Sequence, residues 1–202
     1  MPSDVGLVKR LCLASASPRR AALLAQIGFS DIDIFPTNID ETPGLREIPS
    51  ALAARLAFEK SKSADATMEQ DANRIILAAD TVVAVGRRIL PKAENETEAM
   101  SCLKILSGRS HRVYTGVCVV SAGKTRSRLV ETRIRFKRLG DDDISMYLNS
   151  GEWQGKAGGY AIQGLAGCFV SQLTGSYSNV VGLPLYETMN LLKGHGLAPR
   201  LS

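Results

Sequence analysis

The sequence predicts an α/β fold built on a mixed β-sheet, on three observations. A short apolar run at residues 11–15 passes straight into a helix-like segment. Residues 75–85 form a continuously apolar run rich in β-branched residues, interrupted only by Asp80 and Thr81; such runs mark central strands covered on both faces. Mixed strand-like and helix-like segments then continue to the C-terminus with no internal repeat, low-complexity tract or linker, the order of a layered α/β chain.

Each element has its own signal. Residues 11–15 read as a short buried strand. Ser17-Pro18 starts a helix, serine suiting the N-cap and proline the first helical position, where its missing N–H costs nothing. Leu23, Leu24 and Ile27 form the apolar face of that helix, and Gly28 stops it. Residues 32–35 read as a second strand and residues 40–44 as a loop. Pro49 opens a longer helix with Leu52, Leu56 and Ala57 on its core face and Lys60 near its end. After the central strand, residues 86–88 turn and residues 89–92 return as a short arm. Residues 97–106 form a helix ended by Ser107-Gly108. Residues 113–120 and 128–136 pair as a hairpin around Ala122-Gly123-Lys124. Residues 141–149 form an acid-capped helix, residues 151–167 a glycine-rich loop, residues 168–173 a strand and residues 185–193 a closing helix. The whole of 1–202 is expected to be one domain.

Composition narrows the function classes. With 45% hydrophobic and 22% charged residues among 202, the chain is globular rather than disordered and long enough to bury a core without disulfides. Cys12, Cys102, Cys118 and Cys168 are widely spaced, contain no Cys-x-x-Cys pair and have only His111 and His195 to join them. A zinc site is not expected; four buried, reduced thiols in a cytoplasmic protein are. The first ten residues lack the apolar run of a secretory signal, and no stretch reaches the ~20 residues that cross a bilayer, so no membrane partner is expected. A formal charge of +5 suits an anionic partner without choosing among nucleotide, nucleic acid and membrane. The charge is dispersed: its densest stretch, residues 124–138, alternates with apolar and small polar residues like an exposed strand face. No basic, aromatic-interleaved motif appears, so no nucleic-acid partner is expected.

Three places depart from a quiet core. Ser15-Ala16-Ser17-Pro18-Arg19-Arg20 lies at a strand-to-helix handover. Helix N-termini bind phosphate through free N–H groups, serines donate further hydrogen bonds, and arginines clamp phosphate in bidentate fashion; an ordinary N-cap followed by two solvated arginines is the competing reading. Asp80-Thr81 interrupts an apolar strand. A carboxylate there is costly unless paired, metal-bound or facing a cleft, which makes Asp80 a candidate for a functional, perturbed pKa; a buried aspartate satisfied by backbone donors is the alternative. Lys156 precedes Gly158-Gly159-Tyr160-Ala161-Ile162-Gln163-Gly164, where glycines permit close backbone approach and Gln163 offers a donor and an acceptor for a base edge; a surface loop is the alternative. Lone groups carry less: His111 reads as a capping or surface residue beside a helix end, Trp153 as packing or base stacking with packing favoured, and Lys60 as solvated charge.

Taken together these stretches resemble the Maf family over most of the chain. The similarity is carried by Leu13-Ala14-Ser15-Ala16-Ser17-Pro18-Arg19-Arg20 with Leu23-Leu24, Ala79-Asp80-Thr81-Val82-Val83, Leu106-Ser107-Gly108 with His111-Arg112-Val113 and Thr115, Ser150-Gly151-Glu152, Lys156-Ala157-Gly158, Ala161-Ile162-Gln163-Gly164 and Val181-Gly182-Leu183-Pro184. The resemblance implies a fold like that of inosine triphosphate pyrophosphatases, a twisted mixed sheet flanked by helices with a cleft between two lobes. It implies release of pyrophosphate from a nucleoside triphosphate with a divalent cation, Mg²⁺ or Mn²⁺. Asp80 matches the family's general base. Arg19, Thr81 and Gln163 match positions linked to substrate choice. Arg19, Arg20, Lys60 and Lys92 match positive groups near the phosphates, joined in the first segment by Ser15 and Ser17. Glu41 matches an acidic position by the cleft and, with Asp80, is a candidate metal ligand.

One branch of the family prefers dTTP and UTP; another acts on 7-methyl-GTP and lacks the combination of Asp-Thr with Ile-Gln-Gly. Asp80-Thr81 and Ile162-Gln163-Gly164 are both present here, which is similar to the pyrimidine branch. One departure is Ala93, where the family commonly carries proline after its lysine, a residue that would stiffen the arm. The expected reaction is attack of water on the α-phosphorus, with metal and carboxylate making the water nucleophilic and the cations holding the leaving pyrophosphate. The rival readings are the same reaction on 7-methyl-GTP or a modified nucleotide, and a non-catalytic, nucleotide-binding regulator of cell division. The resemblance is compatible with a homodimer.

Overall fold

A computed structural model describes residues 9–69 and 71–199. Residues 1–8, most of the segment in which no secretory signal is expected, lie outside the described residues. In chain order the elements are β1 (Arg10–Leu13), α1 (Pro18–Gln26), β2 (Ile32–Ile34), α2 (Pro49–Thr67), β3 (Arg74–Val85), β4 (Arg88–Leu90), β5 (Lys92–Ala93), α3 (Glu96–Leu106), β6 (Ser110–Ser121), β7 (Lys124–Phe136), α4 (Asp141–Asn149), β8 (Lys156–Ala157), β9 (Val170–Thr174), α5 (Tyr177–Val181) and α6 (Leu185–Gly194), with a 3-10 turn at Leu165–Phe169 before β9. Seven strands form one sheet in the order β2-β1-β3-β6-β7-β9, β4 pairing with β3 beside that path; β5 and β8 form a separate two-stranded ladder. β1 runs parallel to β2 and β3, while β3, β6, β7 and β9 pair antiparallel in turn. The sheet is therefore mixed, as expected.

The hairpin is longer than its apolar pattern suggests, because β7 carries its charges on an exposed face. Its connection is the two-residue turn Ala122-Gly123, both at positive φ (47° and 73°), the backbone twist that suits a tight hairpin. Further differences from the sequence reading have local causes. Lys60 lies mid-helix in α2, which runs on to Thr67. The expected strand at 168–173 begins two residues later, since Cys168 belongs to the 3-10 turn and is exposed rather than buried. The other three thiols are buried and free, burial raising that of Cys12 to about 11. His111 is not a surface cap but lies on β6, 2% exposed. Trp153 packs in the core and donates from Nε1 to the Leu148 carbonyl at 2.9 Å. β8 and α5, of two and five residues, are too short to leave a periodic signal. No helix among the described residues is long and apolar enough to cross a membrane.

Two cores sandwich the sheet. The larger takes Ile75, Leu77, Ala79 and Val83 from β3; on the other face α2 covers Ile76, Ala78 and Val82. Strand alternation therefore turns Asp80 toward α2 and Thr81 toward the larger core. One glycine sets the distance between α2 and the sheet. Gly116 pairs with Asp80 across the β3–β6 ladder, and a Cβ there would lie 2.3 Å from the Ala53 carbonyl oxygen. Only glycine allows α2 to lie this close, which brings Lys60 within reach of Asp80.

Candidate active site

β3 outruns its neighbours along one edge. β1 pairs with residues 74–77 and β4 with residues 83–85, leaving residues 78–82 without a strand partner on that edge. A cavity of about 400 Å³ opens there, just past the carboxyl end of β1, the place where open α/β sheets receive ligands. Every residue expected at the site from sequence lines it. Five segments distant in sequence supply its wall: the β1–α1 handover, the loop before α2, α2 with β3, the β5–β8 ladder with the run that follows it, and the end of α5.

At the centre is an alternating chain of charges. Lys60 donates to Asp80 Oδ1 at 2.5 Å and pairs with Glu41 Oε1 at 2.6 Å; the second Glu41 oxygen pairs with Lys92. Asp80 is 3% exposed and Lys60 7%, so Lys60 is a buried ion-pair partner rather than the solvated charge its helix position suggested. A buried carboxylate is tolerable when paired and hydrogen-bonded in this way. Burial disfavours the charged form of Glu41, but the hydrogen bonds and charges of Lys60 and Lys92 outweigh it and bring its carboxyl down to about 2. Lys92 is held without the family's proline: Lys92 and Ala93 form a ladder with Ala157 and Lys156, and Ala93 is fully buried.

The β1–α1 segment supplies the second group. Ser17 occupies the N-cap position, but its side chain makes no capping bond, so its hydroxyl is left to the cavity. Ser15 Oγ instead accepts from the Ser17 N–H at 3.2 Å and from Arg20 Nη1 at 2.8 Å. Arg20 also donates from Nε to the Gly182 carbonyl at 2.9 Å and from Nη2 to Thr81 Oγ1 at 3.4 Å. Arg19 donates to the Val181 carbonyl at 3.4 Å. Burial lowers the pKa of both guanidinium groups, the Asp80 charge opposing it for Arg20. A desolvated cation of this kind is stabilised by an incoming anion.

The third group is the run Tyr160–Ala161–Ile162–Gln163. It is fixed from behind: the Ala161 N–H donates to Tyr147 Oη at 2.9 Å, and Tyr160 Oη shares a hydrogen bond with His111 Nε2 at 2.8 Å. Gly158 at φ 69° passes so close to Val83 that a Cβ would sit 2.8 Å from it. This is a rigid platform rather than a slack surface loop. The Gln163 side chain is exposed at the cavity and makes no hydrogen bond among those of the described residues, so its amide is available to a ligand.

Three further residues belong to the site or its support without a sequence signal for a role. Lys156 adds another ammonium to the wall, its pKa lowered by burial and then by Arg19; in sequence it is only a neighbour of the glycine run. Thr115 and Asn179 are fully buried; Thr115 bonds Thr81, and Asn179 bonds Thr115 through its backbone carbonyl, contacts between distant segments that no sequence spacing points to.

Comparison with known proteins places the chain in a family. The family model described as Maf-like protein matches residues 10–195. The dTTP/UTP pyrophosphatase of Mesorhizobium japonicum is 58% identical over 196 residues, covering 95% of this chain and 94% of that protein. The dTTP/UTP pyrophosphatase of Rhodopseudomonas palustris is 58% identical over 195 residues, with the same coverage of both. Among solved structures, a HAM1 protein from Coxiella burnetii superposes over 93% of this chain and 100% of its own with a TM-score of 0.51 at 15% identity, a likeness of fold.

Proposed function

The chain belongs to the Maf-like protein family, and on that premise we propose that it is a nucleoside triphosphate pyrophosphatase hydrolysing dTTP and UTP to the monophosphate and pyrophosphate. The relatives that bear this activity in their names match nearly the whole chain. The observation that carries the reading is the convergence of the buried Asp80 with Lys60, Lys92, Arg19 and Arg20 in one cavity. Cations from separate elements suit a triphosphate, and a carboxylate among them suits activation of water.

The donor set fits a hard divalent cation. Glu41 and Asp80 both present oxygens to the point that Lys60 Nζ occupies. No group of three or more His, Cys, Asp or Glu side chains gathers among the described residues, so two carboxylates would share such an ion with water and phosphate oxygens, a coordination usual for Mg²⁺. Mg²⁺ or Mn²⁺ held there supplies acidification of water and neutralisation of phosphate charge.

The chain's own groups then divide the work. Asp80 Oδ1 is engaged by Lys60, while Oδ2 accepts no hydrogen bond among those of the described residues and takes the proton of the attacking water. Lys60 and Lys92 neutralise the two carboxylates until phosphate oxygens compete for them. Arg19, Arg20, Lys92 and Lys156 stabilise the charge developing on pyrophosphate as the bond to the α-phosphorus breaks. Ser15 and Ser17 stand at the N-terminus of α1, where hydroxyl and helix dipole favour a phosphate. Thr81 and Gln163 face the base. Unpaired thiols suit a reducing compartment, and the cytoplasm is the proposed site of action.

The test is incubation of the purified protein with dTTP, UTP, CTP, GTP, ATP and 7-methyl-GTP, with and without Mg²⁺ or Mn²⁺, assaying pyrophosphate and monophosphate. Metal-dependent pyrophosphate from dTTP and UTP is expected. Preference for 7-methyl-GTP would keep the chemistry and overturn the base reading; no turnover by folded, metal-loaded protein would leave a nucleotide-binding regulator.

A further inference from the structure

We infer that the hydroxyl of Thr81 is locked as a hydrogen-bond acceptor by Thr115, and that this polarity selects the N3–H imide shared by uracil and thymine over cytosine. The inference rests on the reading that Thr81 faces the base, and deepens it by naming the atom read.

Thr115 Oγ1 lies 2.9 Å from the backbone carbonyl of Asn179 and 3.0 Å from Thr81 Oγ1. A carbonyl can only accept, so the single proton of Thr115 is committed to Asn179. Toward Thr81, Thr115 must then accept, and Thr81 must donate. A hydroxyl has one proton and two lone pairs. Thr81 has spent its proton, and Arg20 Nη2 approaches one lone pair at 3.4 Å. What remains at the cavity is a lone pair alone.

The Asn179 end of the chain is equally fixed. Thr115 and Asn179 are fully buried. The Asn179 side-chain amide donates to the Val113 carbonyl at 3.1 Å and to Thr132 Oγ1 at 3.0 Å, and Thr132 Oγ1 in turn accepts from the Ser176 N–H at 3.0 Å. α5 is thereby pinned against β6 and β7, and its carbonyl cannot turn away from Thr115.

An acceptor-only hydroxyl repels a phosphate oxygen and a bare ring nitrogen, and attracts an N–H. Uracil and thymine carry N3–H, while cytosine presents a lone pair at the same atom. The 5-methyl group that separates thymine from uracil lies elsewhere on the ring, so one contact accepts both. Gln163 cannot make this distinction, because rotation of its amide exchanges donor and acceptor. Thr115 therefore acts as a positioning residue for specificity, and Thr81 as the group that reads.

The test compares kcat/KM for UTP, 5-methyl-UTP, 3-methyl-UTP and CTP in the wild type and in Thr81→Val, Thr115→Val and Thr115→Ser. The wild type is expected to accept UTP and 5-methyl-UTP and to lose at least about tenfold on 3-methyl-UTP and CTP, the effect of one mismatched hydrogen bond. Thr115→Val frees the Thr81 proton and is expected to lower the UTP-to-CTP ratio by about tenfold, whereas Thr115→Ser restores the wild-type ratio. Equal turnover of 3-methyl-UTP and UTP by the wild type overturns the inference with no variant needed, so a Thr115→Val protein that fails to fold does not shelter it. A folded Thr115→Val with the wild-type ratio overturns it while base reading by Thr81 stands, provided Thr81→Val shifts the ratio. An unchanged ratio in Thr81→Val removes Thr81 from the base and the inference with it, and absence of UTP turnover by the wild type removes the activity itself.

Discussion

Asp80 and His111 are both buried polar groups, yet only one could be recognised without coordinates. Asp80 stands among ten otherwise apolar or small residues at positions 75–85, and the cost of burying a carboxylate marks it at once. His111 precedes a strand in the sequence and looks like a surface cap; its burial depends on Phe136, Phe169 and Tyr160, which stack around it or one another from distant segments. Asp80→Asn should keep dTTP binding, because the amide oxygen still accepts from Lys60, while kcat falls by a factor of roughly 10² to 10⁴ for loss of a general base; single-turnover kinetics and equilibrium titration separate the two, and full activity would remove Asp80 from that role. His111 has a stability consequence. Burial lowers its pKa from 6.5 to about 4. Between those values the unfolded chain takes up a proton that the native state refuses, so stability is complete above pH 6.5 and falls as pH is lowered toward 4. From pH 7.5 to pH 5 this contributes a loss of about 2 kcal/mol. Urea unfolding at the two pH values should show that difference in the wild type and less of it in His111→Gln; an identical pH dependence in both would exclude His111 as the source.

At the scale of elements, the close seat of α2 on the sheet decides whether the charge chain can form. Lys60 reaches Asp80 only because Gly116 gives the helix backbone room against β6. Gly116→Ala should destabilise the protein by about 1–3 kcal/mol through overpacking against backbone, and it should also lower kcat by displacing Lys60. Thermal unfolding and steady-state kinetics check both; a variant of unchanged activity would show that the seat of α2 is not what positions the site. The long elements were legible because their periodicity is sustained: β3, α3, α4 and α6 lie within a residue or two of expectation. The short ones were not. β8 has two residues and α5 five, and each is defined by what it packs on, β5 in one case and β6 with β7 in the other.

At the scale of the molecule, the site takes a residue or more from the β1–α1 turn, the loop before α2, β3, the β5–β8 ladder and the end of α5, so residues from 14 to 182 share one cavity. A wall so distributed should not survive partial unfolding, and we propose that the chain is one cooperative domain. Circular dichroism and the fluorescence of Trp153, the single tryptophan, should report coincident urea transitions. Two separated transitions would divide the chain.

The sequence by itself determined the fold class, the order of the long elements and the chemical character of the site. Those properties rest on local signals: hydrophobic period, N-cap and proline chemistry, and the high cost of a carboxylate in an apolar strand. Only the tertiary structure decided what each site residue touches. It placed Lys60 between Asp80 and Glu41, turned Asp80 and Thr81 to opposite faces of the same strand, and set Thr115 and Asn179 behind Thr81 to fix the direction of its proton. These are contacts between segments distant along the chain. Their geometry follows from how closely helices and strands can approach one another, and no spacing of residues in sequence records that.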